Sequence, residues 1–489
     1  MRKQPNVLYI MSDDHSANAI SCYGSILSDV FKTPNMDRLY EEGTKLQHFY
    51  STNAICTPAR ASIMTGQYGH INGVRTLSDH WDPTQGPNLA AIFQDNGYET
   101  AMFGKWHLHC EPLGFDDYKY LSGCHGQGTY WDPEFEEKDL GRKVHKGYVT
   151  DVITDMTTNF LDNRDTSKPF FLMCHHKAPH DFWEFAKRHE HLFDGKDIPV
   201  PDSLFEDRSH RSEASRDFGS SVTPRSKVRS LYQDFQAEDY VTGPLKIDDD
   251  MTFEQKGLAA YQKYLKDYLR TVAGIDDSVG VLLDKLEAIG ELNNTIIIYT
   301  SDQGMFLGEH DYQDKRWSYE ESLRAPFLIR YPEKIPSKVT NTNLMANIDV
   351  APTLLDFCGI SVPKAMQGVS QVPVLLQKEQ EDLRSVIYFR YWMNLAHRHH
   401  NPAHFGIRTK QYKFIYYYGK ALDAAGAVHE DTPTGFELYD MVNDPQEMNN
   451  IYEDEARGEL VQSLMEQLHD ARKTYMDLDE NYPNLLSKE

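Results

Sequence analysis

Two apolar segments that end in acidic side chains constrain the fold of this chain more than any other feature. Residues 6–12 (Asn-Val-Leu-Tyr-Ile-Met-Ser) and residues 295–301 (Thr-Ile-Ile-Ile-Tyr-Thr-Ser) have the length and uniformly apolar character of fully buried strands. The first continues into Asp13-Asp14-His15 and the second into Asp302-Gln303-Gly304. Open α/β sheets place their ligands at the carboxyl ends of strands, so we expect these polar side chains to meet at one edge of a sheet.

The side chains at these two strand ends predict a metal site. Asp13 and Asp14 are adjacent carboxylates, which repel each other and need a cation. Asp302 and the amide oxygen of Gln303 would add oxygen ligands from the second strand end. Oxygen-rich sites of this type suit Ca²⁺ or Mg²⁺, and the residues alone do not decide between the two. A turn or a helix cap is the alternative role for the Asp pair.

A cysteine near the predicted start of a helix is the next constraint. Pro58 suits a first helical position and Gly66 suits a C-cap, which predicts a helix over 58–65 with Cys56 just outside its N-terminus. Unpaired N–H groups and the helix dipole favour anions there, so we expect the thiol to be pushed toward thiolate. A buried structural cysteine beside an ordinary helix is the alternative.

Two further predicted strands lead into basic residues. Residues 99–103 lead into Gly104-Lys105-Trp106-His107-Leu108-His109, where Lys105 and His107 alternate along an extended backbone and could point to one side. Residues 170–174 lead into His175-His176-Lys177-Ala178-Pro179-His180. Solvated loops are the alternative for both segments, and a zinc site lacks acid or thiol ligands at a suitable spacing.

The run Cys56-Thr57-Pro58-Ala59-Arg60-Ala61-Ser62-Ile63-Met64-Thr65-Gly66 resembles the activation motif of the type I sulfatases, which belong to the alkaline-phosphatase-like superfamily. Thr33-Pro34-Asn35-Met36-Asp37-Arg38-Leu39, Gly104-Lys105-Trp106-His107-Leu108 and the segment around Lys315 carry the same resemblance, in family order, over about residues 5–375. Gln303, where the family usually has Asn or His, and His109, where it often has Gly, are departures from the pattern.

The resemblance implies a mechanism and a cofactor set. Cys56 would be oxidised to formylglycine by a maturation enzyme, and the hydrated aldehyde would attack sulfur. Calcium is the metal that the family precedent favours. The implied metal ligands are Asp13, Asp14, Cys56, Asp302 and Gln303. The implied catalytic residues are Cys56, Arg60, Lys105, His107, His180 and Lys315.

The resemblance also implies a role for each catalytic side chain. Lys105 and Lys315 would stabilise charge on the transferring group, and Arg60 would orient the hydrated aldehyde. His180 would be the acid for the leaving oxygen, and His107 would accept a proton when sulfate is expelled.

Chain length predicts two domains. With 489 residues the chain can bury a large core, and we expect an α/β domain over 1–375 with a large mixed, mostly parallel sheet between layers of helices. Residues 186–250 have little periodicity and are predicted to be an insertion that shapes the substrate pocket. Alternating segments and a final helix over 376–489 predict a smaller C-terminal α+β domain with an antiparallel sheet.

The charge balance limits the partners of the chain. Its 50 Lys and Arg residues against 74 Asp and Glu give a net charge of −24, which argues against binding to nucleic acid or to an anionic membrane. An anionic substrate would therefore need a local cationic pocket. The run 397–404 holds four histidines and an arginine and is predicted to be a glycan-contacting loop, with a metal patch or an exposed loop as alternatives. The predicted substrate contacts are His109, His310, Arg390, His397, Arg398 and His404.

These observations predict a sulfuric ester hydrolase that acts on a sulfated carbohydrate. An exo-acting enzyme on sugars from glycosaminoglycans or mucins is favoured, with 6-sulfated N-acetylglucosamine or 2-sulfated uronate as the substrate. Three alternatives stay open: a phosphate, phosphodiester or phosphonate ester hydrolase of the same superfamily, a hydrolase that uses the cysteine thiol itself, and a non-catalytic binder of sulfated glycans.

The cysteine content and the first residues of the chain are used to predict the cellular compartment of the protein. Six cysteines with no C-x-x-C pair indicate neither a disulfide framework nor a zinc site. Residues 7–11 form too short an apolar run for a signal-peptide core or a membrane span. The sequence as given predicts a cytoplasmic protein, or a periplasmic or secreted one if a leader precedes it. Oligomeric state is not predicted.

Overall fold

The buried apolar segments form strands in the computed structural model, which describes residues 4–377 and 383–482. In chain order the strands are β1 (Asn6–Ser12), β2 (Thr44–Leu46), β3 (Phe49–Tyr50), β4 (Glu99–Gly104), β5 (Asp117–Leu121), β6 (Glu134–Glu137), β7 (Gly141–Val144), β8 (Phe170–His175), β9 (Thr295–Ser301), β10 (Phe327–Arg330), β11 (Val339–Asn341), β12 (Met345–Ala346), β13 (Ile387–Tyr391), β14 (His404–Arg408), β15 (Tyr412–Tyr417) and β16 (Gly435–Asp440). The helices are α1 (Pro34–Glu41), α2 (Cys56–Thr65), α3 (Gly69–Asn72), α4 (Leu89–Asp95), α5 (Val149–Asn163), α6 (Leu231–Asp234), α7 (Phe253–Ala288), α8 (Glu320–Leu323), α9 (Val350–Phe357), α10 (Val372–Leu375) and α11 (Gly458–Thr474).

Ten of these strands form one mixed sheet in the order β11-β2-β10-β9-β1-β8-β4-β5-β6-β7. The five central strands, from β9 to β5, run parallel to one another. Antiparallel pairing occurs where β10 joins β9 and β2, and where β6 joins β5 and β7. The predicted mixed, mostly parallel sheet is confirmed.

Helices cover both faces of the large sheet, as predicted. Alternate residues of β1 show the arrangement, because successive side chains of a strand point to opposite faces. Val7 and Tyr9 pack in a hydrophobic cluster with α2, α4 and α9, whereas Leu8 and Ile10 pack in a second cluster with α1, α5 and α7. β1 is buried along its whole length, which explains its continuous apolar sequence.

A smaller sheet follows in the C-terminal part of the chain. Strands β13, β14, β15 and β16 pair antiparallel in sequence order, and α11 contacts β13 and β14. The predicted antiparallel sheet with its packed helix is confirmed. Its core is shared with the larger part, since Tyr50 and Trp317 lie in one hydrophobic cluster with Ile407, Phe414 and Leu468. The domain boundary at 375/376 stays a prediction, and residues 1–3, 378–382 and 483–489 of the two predicted domains lie outside the described residues.

The segment 186–250 contains short 3-10 turns and α6 rather than long regular elements. It packs on α7, where Leu204, Val222 and Phe235 share a hydrophobic cluster with Tyr264. This packing keeps the segment ordered despite its weak periodicity. Its role in shaping the substrate pocket stays a prediction.

The start of helix α2 and several short edge strands differ from what the sequence predicted. Helix α2 begins at Cys56 instead of Pro58, so the cysteine is the first helical residue, while Gly66 is the left-handed C-cap, with a φ of 65°. Strands β2, β5, β6, β7 and β11 at the sheet edges were not anticipated.

All six cysteines lie in the described part of the chain and none forms a disulfide. Within the described residues, no helix combines the length and apolar character needed to cross a bilayer.

Gly104 lets the ends of β4 and β8 approach each other. Its φ is 112°, and a Cβ atom there would overlap the carbonyl oxygen of His175. We therefore expect Gly104→Ala to lower the free energy of unfolding by about 1–3 kcal/mol, because the backbone must move to admit the methyl group. Chemical denaturation monitored by circular dichroism measures this change.

Gly458→Ala is the matched control for this substitution. Gly458 has helical φ and ψ angles of −52° and −42°, and apart from its chain neighbours and its own helix backbone no described atom lies within 4 Å of the added Cβ. Its replacement should leave stability unchanged or raise it slightly. Equal stability of the two variants would contradict the role given to Gly104.

Candidate functional site

Four neighbouring parallel strands deliver their polar ends to one edge of the large sheet. Ser12 at the end of β1 lies opposite Ser301 at the end of β9, and Gly104 at the end of β4 lies opposite His175 at the end of β8. This register places the residues that follow each strand side by side. The side chains assembled in this way include Asp13, Asp14, Lys105, His180, Asp302 and Gln303.

Three buried carboxylates form the centre of the site. Oxygen atoms of Asp13, Asp14 and Asp302 all lie within 4.8 Å of one another. Burial raises the pKa of Asp302 to about 7, and the neighbouring Asp13 adds to this shift. Burial likewise raises the pKa of Asp14. Asp13 is also buried, but the cations around it, above all Lys105, hold its pKa well below the usual range. Three carboxylates at this spacing need additional positive charge to be ionised together.

The donor set of the site fits a divalent cation. The three carboxylates offer hard oxygen ligands, which Ca²⁺ and Mg²⁺ prefer. Gln303 is fully buried, and its Oε1 atom has no hydrogen-bond partner within the described residues, although its Nε2 atom donates to Asp14 and lies 3.7 Å from Cys56 Sγ. A buried amide oxygen without a partner is costly unless a ligand such as a metal ion satisfies it.

Cys56 opens α2 and points into this cluster. Its Sγ atom lies 3.2 Å from Asp13 Oδ1 and 3.8 Å from Lys105 Nζ. Burial raises the pKa of the thiol well above its usual value, and the carboxylate of Asp13 adds to the effect. The expected thiolate is therefore wrong for the unmodified side chain, because burial and the nearby carboxylate outweigh the helix N-terminus. A neutral, buried thiol is a poor nucleophile.

Each carboxylate of the cluster has its own cation. Arg60, one turn along α2, donates from Nε to Asp302 Oδ2 at 3.0 Å and from an Nη atom to the carbonyl oxygen of Lys105 at 2.7 Å. Lys105 Nζ is hydrogen-bonded to Asp13. Lys315 Nζ donates to Asp14 Oδ2 at 2.6 Å. All three cations are buried, so the pairs lie in a medium where charge interactions are strong.

Two histidines lie at the sides of the carboxylates. His180 Nε2 is 3.6 Å from Asp14 Oδ2, and its Nδ1 is 2.6 Å from Asp181 Oδ1. Burial lowers the pKa of His107 well below its usual value, with Lys105 adding to the shift. The expected extended backbone at His107 is wrong, since its φ is 56°, in the left-handed region. Lys105 and His107 reach the site through a turn rather than through strand alternation.

Sequence reasoning missed several residues that contact the site. Gln127 Oε1 accepts a hydrogen bond from Lys105 Nζ at 2.5 Å, yet it lies in a loop after β5 that has no pattern to mark it. Asp181 and Asp314 each pair with a predicted catalytic side chain next to them in sequence. That adjacency is a signal that could have found them.

Three of the predicted substrate contacts lie at cavities around the site. His397 and Arg398 are exposed and line a cavity of about 730 Å³. His109 lines a second cavity of about 300 Å³ together with His107, and its Nε2 atom lies 2.9 Å from the carbonyl oxygen of Leu77.

The other three predicted substrate contacts are buried in structural interactions, which corrects their assignment. Arg390 pairs with Asp477 at 2.8 Å, and its guanidinium carbon lies 3.5 Å from the ring centre of Trp392. His310 is fully buried and its Nδ1 atom lies 3.0 Å from Glu206 Oε2. The ring of His404 stacks on those of Trp317 and Tyr391, and its Nδ1 atom lies 2.8 Å from the carbonyl oxygen of Pro402. None of the three is accessible to a sugar.

The fold and the carboxylate cluster at its strand ends define an ester hydrolase of the alkaline-phosphatase-like superfamily. Residues 5–360 match the family model described as Sulfatase, and residues 308–474 match the model described as N-sulphoglucosamine sulphohydrolase, C-terminal. The chain belongs to the sulfatase family and is an enzyme that acts on sulfate esters. Formylglycine and a divalent metal are typical of this family.

Similar proteins include sulfatases that act on sugars. An N-acetylglucosamine-6-O-sulfatase from Bacteroides thetaiotaomicron is 41% identical over 98% of this chain and 88% of its own length. The human N-acetylglucosamine-6-sulfatase is 29% identical over 80% of this chain and 67% of its own length.

Solved structures show the same fold. One protein in complex with its substrate D-glucosamine-2-N,6-O-disulfate has a TM-score of 0.85 and 40% identity, covering 98% of this chain and 99% of that one. The phosphonate monoester hydrolase of Agrobacterium radiobacter has a TM-score of 0.72 at 21% identity, covering 96% of each chain, and shows the fold alone.

Replacement of Asp302 tests the metal site. We expect Asp302→Asn to weaken Ca²⁺ binding by about tenfold or more. Removal of a group that only orients a metal ligand already lowers metal affinity by about this factor. Removal of the charge of a ligand itself should lower the affinity at least as much. Calorimetric titration of chelator-treated protein at fixed pH measures the affinity.

Asp470→Asn on α11 is the matched control, because Asp470 is exposed and lies outside the carboxylate cluster. It should bind Ca²⁺ as the wild type does. Equal affinities for Asp302→Asn and wild type would show that Asp302 is not a ligand.

Proposed function

We propose that this sulfatase removes the 6-O-sulfate from a terminal N-acetylglucosamine or N-sulfated glucosamine of glycosaminoglycan- or mucin-derived sugars. The observation that most supports this substrate is the 41% identity to an N-acetylglucosamine-6-O-sulfatase along 98% of the chain. Supporting it, a structure with 40% identity holds a 6-O-sulfated glucosamine as substrate. The second sequence expectation, a 2-sulfated uronate, lacks comparable support, because the neighbour described as a 2-O GAG sulfatase is 21% identical and shows the fold alone.

The buried cluster supports sulfate transfer to residue 56. Formylglycine at this position and a divalent cation, for which calcium is our choice, would supply the attacking oxygen and part of the positive charge that sulfate transfer needs. Asp13, Asp14, Asp302 and Gln303 would hold that cation. Without it, three carboxylates and three cations cancel formally, so the site would offer no net attraction to a sulfate ester.

The cationic side chains are proposed to bind and stabilise the sulfate group. Lys105 and Lys315 contact different carboxylates of the cluster, Asp13 and Asp14 respectively. Both can shift part of their hydrogen bonding to sulfate oxygens as charge develops there. Arg60 is held by Asp302 and by the carbonyl oxygen of Lys105, which fixes the first turn of α2 and thereby the direction of residue 56.

The two histidines are proposed to move protons at opposite ends of the reaction. Asp181 orients the ring of His180 so that its Nε2 atom faces the cluster, where it can protonate the sugar oxygen that leaves sulfur. His107 has a lowered pKa and a buried Nδ1 atom without a partner among the described residues. A neutral imidazole in this position can accept the proton that must be removed when sulfate is released.

Maturation by a separate enzyme is part of the proposal. Cys56 is only 1% exposed, and every residue of α2 is buried. A maturation enzyme cannot reach a side chain packed in this way, so we propose that oxidation precedes completion of the fold. The oligomeric state and the cellular compartment do not enter the proposed chemistry.

Removal of the modified side chain tests its assignment as the nucleophile. Protein produced together with a maturation enzyme should lose about 18 Da at residue 56, through exchange of S for O and loss of two hydrogens. We expect Cys56→Ala to lower sulfate release by more than about 1000-fold with an unchanged circular dichroism spectrum, because it removes a nucleophile but only one small side chain.

Cys22→Ala is the control, since Cys22 packs at α1 and β2 and not at the carboxylate cluster. It should keep full activity and the full mass change at residue 56. Sulfate release by Cys56→Ala at the wild-type rate would rule out this nucleophile.

Substrate choice separates sulfatase activity from phosphatase activity. We expect kcat/KM for N-acetylglucosamine 6-sulfate to exceed that for the 6-phosphate of the same sugar by about tenfold or more. A phosphate monoester carries nearly one more negative charge at neutral pH, and the 41% identical relative is a 6-O-sulfatase, so we expect the site to favour the singly charged sulfate ester. Ion chromatography of the released anion measures both rates. A faster phosphate reaction would favour the alternative of a phosphate ester hydrolase, and a faster reaction with a 2-sulfated uronate would overturn the proposed sugar.

A further inference from the structure

The larger of the two cavities described above lies near the proposed catalytic side chains but is not lined by any of them. It has a volume of about 730 Å³, within the range of small-molecule sites, and is lined by residues from 182 to 241 and by His397 and Arg398. The insertion and the C-terminal part of the chain therefore form it together. Nothing in the proposed sulfate transfer uses this volume, because the reacting group is held in the buried cluster.

Arg229 forms the inner wall of the cavity and connects it to the site. One of its Nη atoms lies 3.6 Å from Asp181, which holds His180. The other lies 3.0 Å from Nε2 of His399, whose Nδ1 atom is 3.3 Å from Asp314 beside Lys315. Asp181 therefore lies between the cavity wall and the proposed acid His180, and His399 and Asp314 lie between the wall and Lys315.

The outer wall combines an apolar surface with polar groups. Phe182 and Val241 are each 48% exposed at the cavity, and the rings of Phe182 and Tyr240 pack nearly perpendicular to each other at a ring-centre distance of 6.0 Å. Gln233 and Asp239 are exposed beside them. An aromatic face next to amide and carboxylate groups suits a sugar ring, whose C–H face is apolar and whose hydroxyl groups donate hydrogen bonds.

Arg398 is the available cation at this cavity. Arg229 is already bound by Asp234, at 2.9 Å, whereas Arg398 is exposed and has no hydrogen bond or ion pair with any described residue. Its backbone has a φ of 61°, in the left-handed region that a non-glycine side chain adopts at a cost. A guanidinium group matches a carboxylate or sulfate with two parallel hydrogen bonds.

We propose that this cavity binds the sugar that neighbours the sulfated glucosamine, and that Arg398 pairs with the acidic group of that sugar. The inference rests on the proposed function and goes further, because a cavity of this kind would select substrates with a uronic acid next to the sulfated sugar. Glycosaminoglycan fragments of the heparin type have an acidic neighbour there, whereas mucin-type fragments have a neutral one. The carboxylate of the uronic acid is the main partner, and a sulfate on the same ring would use the same guanidinium.

Three matched substrates test whether the cavity binds an acidic neighbouring sugar. Each contains terminal 6-sulfated N-acetylglucosamine, either alone, linked to a uronic acid, or linked to a neutral hexose. The measured quantity is the ratio of kcat/KM for each disaccharide to kcat/KM for the monosaccharide. For wild type we expect this ratio to be about tenfold higher with the acidic neighbour than with the neutral one, and to fall as salt is added, because Arg398 is exposed.

Substitutions of Arg398 test whether this residue causes the preference for an acidic neighbouring sugar. Arg398→Ala should lower the ratio for the acidic disaccharide by about tenfold and leave the ratio for the neutral disaccharide unchanged, and Arg398→Lys should recover part of the loss. Arg142→Ala is the matched control, because Arg142 is a surface arginine on β7, paired with Glu134 and Glu136. It should leave both ratios and the basal activity unchanged.

Two results would overturn the subsite. One is a wild-type enzyme that does not distinguish acidic from neutral neighbours. The other is an Arg398→Ala enzyme that loses monosaccharide and disaccharide activity equally, since Arg398 would then contact the sulfated sugar itself. If no sugar released sulfate, the proposed function would fail instead. In that case calorimetric binding of the uronic acid disaccharide to Cys56→Ala protein, with and without Arg398→Ala, decides on the cavity.

Discussion

Pairing between three buried carboxylates and three buried cations is the interaction on which the rest of the site depends. An unpaired buried charge is strongly unfavourable, so Asp13, Asp14 and Asp302 can share one small volume only because Lys105, Lys315 and Arg60 each approach one of them. These six side chains come from five places in the chain: after β1, in α2, after β4, after β9 and, for Lys315, in the loop between β9 and α8. The parallel register of β4, β1 and β9 brings most of them together, and α2 adds the arginine. Formal neutrality of the set leaves the charge of a divalent cation available for an anionic substrate.

This local balance reconciles an acidic protein with an anionic substrate. A net charge of −24 repels polyanions at long range, but that repulsion is screened over roughly 10 Å in physiological salt. Attraction inside a water-poor cluster is screened much less. In the proposed mechanism, recognition of sulfate therefore depends on the buried set and not on the surface. The acidic surface would then disfavour loose binding of long sulfated chains, which agrees with action on the ends of short fragments.

The sequence predicted the elements whose residues are buried on both faces. β1 and β9 were predicted with their observed bounds, because a continuous apolar run admits few other structures. The meeting of Asp13 with Asp302 followed from parallel strands alone. Arg390 and His404 could not be placed in the same way, because their burial depends on Asp477 and on aromatic rings far away in sequence. The thiol of Cys56 was misjudged for a similar reason, since its pKa is set by burial and by neighbours that only the folded chain provides. The short edge strands lack the apolar pattern that marks the central ones.

The separation between the proposed sulfate-transfer residues and the groups around the outer cavity has a physical basis in this fold. Most of the side chains proposed to transfer sulfate follow the central strands, whose positions are fixed by pairing on both sides. Groups around the outer cavity come from the insertion and from the loop after β13, which pack on the sheet layers without being part of them. Arg229 and His399 join the two sets through contacts with Asp181 and Asp314, so the outer groups touch the layer behind the catalytic residues. Exchange of an exposed residue such as Arg398 can therefore change which sugars bind without disturbing the charge pairs that the reaction requires.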